Sequence, residues 1–323
     1  MKITKIEIKS EPKVICSTWQ SAIKKKEDFF KQFKAVIVDE VHLAKCTSIN
    51  SILKKCVNAE YRIGMTGTMP EEQINQFTIY GYLGPKIFES TSSELIEKGI
   101  LSKIKIANLL LEYPKEQVYR YWHDDEGDIQ QKEYQEELDI IYGNTDRNKI
   151  FRYIINRIDK TQNILILCHK ISHLKDIKKY LEENFKEHQI FEIYGKTEAE
   201  ERERIRQLTN VQGSTIILGT FKTMSTGLNI KRLHHVIFAS SFRSKITILQ
   251  SIGRGLRRHE TKKNVIIWDI VDDLTWINTW GDKEVLHLNH VFKHWKDRMG
   301  YYEKQEFQYL TKKININSYD TSS

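Results

Sequence analysis

Apolar residues in this chain fall in short unbroken runs, separated by stretches whose apolar positions recur every three or four residues. Runs of four to seven, rich in β-branched side chains, read as buried strands, and the spaced stretches as amphipathic helices. In the first third the runs are Val14–Ser17, Val36–Val41 and Tyr61–Met65, with a charged helix through Phe29, Phe30 and Phe33 and a short one through Ile49, Ile52 and Leu53. The rhythm lapses over residues 108–147, which reads as a connector. It resumes with an entry helix at Lys149–Ile158 and runs at Ile164–Cys168, Ile190–Tyr194, Thr215–Leu218, His235–Ala239 and Val265–Asp269. Leu174, Ile177, Leu181 and Phe185 form a core-facing stripe between two of these. Strand and helix in alternation predict an α/β protein with parallel sheets and right-handed crossovers. The expected division is a first domain over 1–107, the connector, a second domain over 148–271 and a C-terminal extension over 272–323.

At 323 residues and 40% hydrophobic content the chain can bury two cores. Its formal charge of +8 favours a polyanionic partner. A membrane surface would satisfy charge equally well, yet no apolar run approaches the ~20 residues of a span, and no signal-peptide core opens the chain. Cys16, Cys46, Cys56 and Cys168 are scattered without a C-x-x-C pair, which suits a reducing, cytoplasmic setting without structural zinc. The cluster Asp124-Asp125-Glu126-Gly127-Asp128 lacks the alternating ligand spacing of a calcium loop and reads as a solvated turn. In the extension, Trp276, Trp280, Trp295, Tyr301, Tyr302 and Phe307 alternate with Lys293, Lys296, Arg298 and Lys304. Two readings stand: rings that stack on bases while cations hold phosphates, or, more ordinarily, a helix packing its aromatic face on the second domain.

The Val36 run ends in Asp39 and Glu40, two adjacent carboxylates at the carboxyl edge of a sheet, where open α/β sheets place ligands. One such carboxylate can hold magnesium while its neighbour takes a proton from an attacking water; the alternative is that Asp39 caps the next helix. Gln250 to Arg258 follows the His235 strand and places Arg254 and Arg257 three apart, on one helix face, able to reach a single anion. Small and hydroxyl residues at Gly219 to Asn229 let backbone amides approach a phosphate or a ribose, and Thr66-Gly67-Thr68 reads by itself as a loop.

Asp39-Glu40-Val41-His42, Thr66-Gly67-Thr68, Ser225 to Asn229 and Gln250 to Arg257, in this order and on these strands, resemble motifs II, III, V and VI of the superfamily 2 helicases with a DExH box. Ser17-Thr18-Trp19-Gln20, Trp268-Asp269-Ile270-Val271-Asp272-Asp273 and His287-Leu288-Asn289 look like the phage recombination and repair members of that family. The resemblance runs from Val14 to the tail. It implies two RecA-like parallel-sheet domains with ATP and Mg2+ in the cleft between them, and DNA or RNA:DNA hybrids across their top. By the same resemblance Asp39 is the metal residue, Glu40 the base, and His42 couples the nucleotide to motif VI. Arg254 and Arg257 meet the γ-phosphate, with Arg257 as finger, and Gly227, Asn229, Gln250 and Gly253 line the nucleotide. Thr18, Gln20, Lys170, Thr223 and Ser225 lie along the strand backbone, and Thr66, Gly67 and Thr68 couple the two sites.

A complete member of this family also carries a Gly-rich P-loop ending in Lys-Ser/Thr ahead of motif II, and none precedes Asp39. Gly195-Lys196-Thr197 follows a strand, but the position five residues before its Gly is Ile190, where the P-loop has Gly. The expectation is therefore a first domain that begins partway through, as a fragment of a split gene, a truncated reading frame or a protein whose missing part comes from another polypeptide; the rival expectation is a nucleic-acid-binding remnant without turnover.

Overall fold

The computed structural model describes residues 14–42, 47–67, 69, 72–225, 230–242, 264–280 and 283–318. The chain divides into two compact units, Met1–Glu89 and Ser90–Ser323.

The smaller unit contains α1 (Trp19–Ala22), α2 (Glu27–Lys31), β1 (Ala35–Val38), α3 (Thr47–Lys55), β2 (Tyr61–Gly64) and α4 (Gln73–Leu83). β1 and β2 pair in parallel, Ala35 with Tyr61 through Val38 with Gly64. One face of this pair is covered: Val36 and Val38 pack on Leu53 and Ile49 of α3 and Ile79 of α4. The other is not, since Ile37 and Tyr61 are 61% and 65% exposed. Gly64 is small for a reason, because a Cβ there would lie 2.9 Å from Leu83 Cδ1 and 3.2 Å from Val41 Cγ2. Val14–Ser17, expected as a strand, is not one: it has no ladder partner among the described residues, and Val14 lies 77% exposed. A four-residue apolar run becomes a strand only where a neighbour takes its backbone hydrogen bonds.

The larger unit opens with α5 (Ser92–Glu97), started by a capping box in which the Thr91 hydroxyl accepts from Glu94 N and the Glu94 carboxylate accepts from Thr91 N. Then follow β3 (Lys103–Glu112), α6 (Lys115–Trp122), α7 (Tyr134–Gly143), α8 (Lys149–Ile155), β4 (Ile164–Cys168), α9 (Ile171–Asn184), β5 (Gln189–Ile193), α10 (Ala199–Val211), β6 (Thr215–Thr220), α11 (Phe221–Ser225), β7 (His235–Phe238) and β8 (Asn264–Asp273). The hairpin β9 (Trp276–Trp280) and β10 (Lys283–His287), α12 (His290–Lys304) and β11 (Gln308–Asn315) complete it. Seven strands form one sheet in the order β11-β3-β8-β7-β4-β6-β5, every pairing parallel. The central β4, β6 and β7 are buried at every residue, which is why they read as unbroken apolar runs.

Alternate side chains of these strands feed two cores. Leu165, Leu167, Ile217, Val236 and Phe238 meet Ile205 of α10 and Tyr302 of α12 on one face. Ile164, Ile166, Ile216, Leu218 and Ile237 meet α8 and α9 on the other. The result is a three-layer α/β unit.

Two expected boundaries fall inside strands. β3 crosses 107/108 and β8 crosses 271/272, so the stretch expected to connect and the stretch expected to extend both contribute to the sheet. Asn108 interrupts the apolar pattern of β3 and hides the strand from a periodicity reading. Its side chain is accommodated because its amide donates to Leu310 O and Thr311 Oγ1, both at 3.3 Å, and its carbonyl accepts from Trp295 Nε1 at 3.2 Å. Tyr302 and Phe307 are buried, so these two tail rings belong to the core and not to a stacking surface.

His235, at the start of β7, gives the unit a pH dependence. Its Nδ1 accepts from Trp268 Nε1 at 3.1 Å and its Nε2 faces Gln162 Oε1 at 2.6 Å, an arrangement suited to the neutral ring. Burial, then the neighbouring His234, pushes its pKa down to about 3. Above the ordinary histidine range neither folded nor unfolded chain is protonated here; below it the unfolded chain takes the proton first, so stability falls as pH falls. The unit is expected to lose about 1 kcal/mol from this residue between pH 7.5 and 5.5, read from urea unfolding. His173, also pushed down by burial and by Arg147 and Lys170, acts in the same direction. His235→Asn, which keeps an acceptor near Nδ1, is expected to remove its share of the drop.

Candidate functional site

β1 ends where its chemistry begins. Glu40 has φ +51°, a left-handed conformation that is uncommon outside glycine, and Asp39 Oδ1 accepts from Glu40 N at 2.8 Å. The chain is then stitched back to the end of β2: Met65 N donates to Val38 O and Val41 N to Met65 O, both at 2.9 Å. Val41 is buried in the small core, which anchors the turn. Asp39 and Glu40 are left exposed at the carboxyl edge.

His42 ties this turn to the loop after β2. The ring is 7% exposed, and its Nδ1 lies 2.9 Å from Thr66 Oγ1 and 3.2 Å from Glu40 Oε2. A proton on Nδ1 donates to these oxygens; without one, the nitrogen accepts from the Thr66 hydroxyl. Thus Glu40, His42 and Thr66 are brought together, with Gly67 next in the chain. Thr18 and Gln20 are exposed at the start of α1, where Thr18 Oγ1 donates to Ser21 Oγ at 3.2 Å.

Asp39 suits magnesium. Among the described residues no three His, Cys, Asp or Glu side chains cluster to hold a metal. Magnesium needs no such cluster, being held typically by one or two carboxylates with phosphate oxygens and water. Asp39 offers an exposed carboxylate of that kind, fixed through Oδ1.

In the larger unit the parallel strands β4, β6 and β7 deliver their carboxyl ends to one edge. Lys170, after β4, is the N-cap residue of α9, and its Nζ pairs with Asp139 Oδ1 of α7 at 2.5 Å. Thr223, in α11, is buried, its Oγ1 accepting from Thr220 Oγ1 at 2.8 Å; Ser225 ends that helix. Thr68, Gly227, Asn229, Gln250, Gly253, Arg254 and Arg257 lie outside the described residues. The tempting Gly195-Lys196-Thr197 is an internally closed turn: Thr197 N donates to Tyr194 O at 2.9 Å, Tyr194 N to Thr197 Oγ1 at 3.0 Å, and Arg202 takes the Tyr194, Gly195 and Thr197 carbonyls. Two of the amides that a phosphate cradle needs are thereby spent.

Sequence reasoning missed two buried ion pairs that hold the exit of β7, the segment leading towards Gln250 to Arg258. On one face of β8, Asp269 receives Arg298 Nε at 2.8 Å and Nη2 at 2.9 Å, and Arg298 Nη1 donates to Phe242 O at 3.0 Å. On the other, Asp272 receives Arg147 Nε at 2.6 Å and Nη2 at 2.9 Å, and the same Nη2 donates to Ala239 O at 2.9 Å. The signal was present: two aspartates inside an otherwise apolar run demand partners.

The model of the helicase conserved C-terminal domain matches residues 146–259, and that of the type III restriction enzyme res subunit matches residues 2–71. Over 313 residues the chain is 32% identical to the ATP-dependent DNA helicase uvsW of Enterobacteria phage T4, covering 95% of this chain and 60% of that protein. The chain belongs to the superfamily 2 helicases. Its fold superposes on the crystal structure of T4 UvsW with a TM-score of 0.56 at 30% identity, over 92% of this chain and 57% of that one. A fragment of a putative HsdR subunit of a type I restriction enzyme from Vibrio vulnificus YJ016 shares the fold alone, with a TM-score of 0.58 at 20% identity over 74% of this chain and 43% of that one. This superfamily 2 chain therefore spans 60% of its T4 relative's length. Among the described residues no helix is long and apolar enough to cross a membrane.

Proposed function

We propose that the chain supplies the water-activating carboxylates, the phosphate-sensing arginines and part of the nucleic-acid track of an ATP-dependent helicase or translocase that acts on branched DNA or on RNA:DNA hybrids. In this reading the two units are RecA-like, Asp39 holds Mg2+, Glu40 takes the proton of the attacking water, and Arg254 and Arg257 neutralise the γ-phosphate as it transfers. Gly227, Asn229, Gln250 and Gly253 line the nucleotide, and Thr18, Gln20, Lys170, Thr223 and Ser225 serve the strand. The observation that carries it is His42 within hydrogen-bond distance of both Glu40 and Thr66. A histidine shared by a candidate base and a loop hydroxyl lets the state of the nucleotide reach a second element. The ATP supplies the phosphoryl group; this chain's residues orient water, hold its proton and offset charge.

No Gly-x-x-x-x-Gly-Lys-Ser/Thr loop occurs in these 323 residues. Turnover therefore needs a phosphate cradle from outside them, and the uncovered apolar face of β1 and β2 offers a place for the strand and helix that would bring it. A second reading, a nucleic-acid-binding remnant without turnover, draws on the same lack. Both readings expect binding of single strands without sequence preference. The log-log salt dependence should have a slope of about −0.7 per phosphate neutralised, and Lys170→Ala should flatten it by about one such step. Binding that ignores salt, or that Lys170→Ala leaves unaltered, would count against the track.

A further inference from the structure

Helix α7 lies against the edge at which β4 and β7 end, and five of its side chains fix it there. The Tyr142 ring stacks on His173 of α9 with centroids 3.9 Å apart and planes 8° from parallel. Tyr134 OH donates to Ser241 O, just past β7, at 3.4 Å. Leu138 and Ile141 are buried in a small core with Val118, Trp122 and Val291. Glu137, wholly buried, accepts from Tyr121 OH at 2.6 Å and from the first two amides of α12, His290 N at 2.9 Å and Val291 N at 2.8 Å. The helix is thus held on its buried side by packing and by a satisfied carboxylate.

Its outer side carries Asp139, whose carboxylate is 65% exposed and takes the ammonium of Lys170, 26% exposed. An anion on a fixed helix occupies a cation that nucleic-acid phosphate would otherwise take. We propose that Asp139 is an internal competitor for phosphate at Lys170, so that α7 tunes how tightly this chain holds a nucleic-acid strand. The inference rests on the reading that Lys170 meets the strand. On binding, the Lys170 ammonium exchanges the Asp139 carboxylate for a phosphate oxygen. Exposed ion pairs are weak, so the competition is expected to amount to about two- to fivefold in affinity.

The test is a double-substitution cycle on the full chain, with a fluorescent oligo-dT as probe and anisotropy as readout at near-physiological salt. Asp139→Asn is expected to tighten binding about two- to fivefold in the wild-type background and to leave it unchanged in Lys170→Ala. Glu183→Gln is the control for bulk charge: it lies near the far end of α9, about 20 Å along the helix from Lys170 and beyond a Debye length of about 8 Å. It should do little. Equal tightening by Asp139→Asn in both backgrounds, or by Glu183→Gln, overturns the competitor role and leaves only a charge effect. If Lys170→Ala weakens binding but Asp139→Asn changes nothing, the role of Lys170 stands and the competition does not. If Lys170→Ala has no effect, the underlying reading of Lys170 falls, and this inference with it. Asp139→Ser repeats the measurement should the asparagine variant unfold.

Discussion

Replacing Asp269 with alanine is expected to destabilise the larger unit by about 3–5 kcal/mol, because the substitution leaves a buried guanidinium without its counter-charge. Arg298 is wholly buried, and it gives two of its hydrogen bonds to Asp269. Tyr302 OH gives a third to the same carboxylate at 2.9 Å. Removing Asp269 strands both donors in a place water does not reach. The pair itself need not be stabilising relative to apolar residues, since both ions give up their hydration on burial. Asp269→Leu combined with Arg298→Met should therefore recover most of the loss, apart from the Tyr302 hydroxyl and the Phe242 carbonyl, each of which loses a partner. Urea unfolding of Asp269→Ala and of the double variant measures this. A single variant that loses less than about 1 kcal/mol would mean that the site is wetter than its geometry indicates.

The other large effect is catalytic. In a preparation given a P-loop polypeptide and stimulated by nucleic acid, Arg257→Ala is expected to lower ATP turnover by about 10³- to 10⁵-fold, the usual worth of a cation that offsets charge on a transferring phosphoryl group. Glu40→Gln keeps the shape of the side chain and removes its basicity, so a loss of about 10²- to 10⁴-fold is expected there. The two should differ in kind as well. Glu40→Gln should leave nucleotide affinity nearly intact, whereas Arg257→Ala weakens the hold on ATP more than on ADP. Lys196→Ala, in a turn whose amides are already bonded, should leave turnover as it was.

The central strands were legible because they are buried on both faces, and burial writes itself as unbroken Ile, Leu and Val. The place of Asp39 and Glu40 was legible too, since the apolar run stops at them and so delivers both to the carboxyl edge of β1. What escaped was set by contacts distant in sequence. β3 hid behind Asn108, whose partners lie about two hundred residues on. β11 carries Lys312 and Lys313 on the outside of an edge strand, where charge suits solvent and blocks stray pairing but erases the strand pattern. Trp268-Asp269-Ile270-Val271-Asp272-Asp273 was read for its family likeness, while its physical content is a strand that sends one aspartate to each face to meet a buried arginine. The tail rings illustrate the same limit, for composition alone does not separate an aromatic that stacks on a base from one, such as Tyr302, that fills a core.

On the proposed reading Glu40 is the base and Arg254 and Arg257 offset the charge, while no Gly-x-x-x-x-Gly-Lys-Ser/Thr loop occurs in these 323 residues to hold the phosphates. Phosphoryl transfer depends on positioning, so a base without a held substrate accomplishes little. Steady-state phosphate release from the purified 323-residue chain, with saturating single-stranded DNA and Mg2+, tests it most directly. Release is expected to be no faster than that of Glu40→Gln and to rise only when a P-loop polypeptide is added. Hydrolysis by the chain alone at a helicase-like rate, abolished in Glu40→Gln, would contradict it.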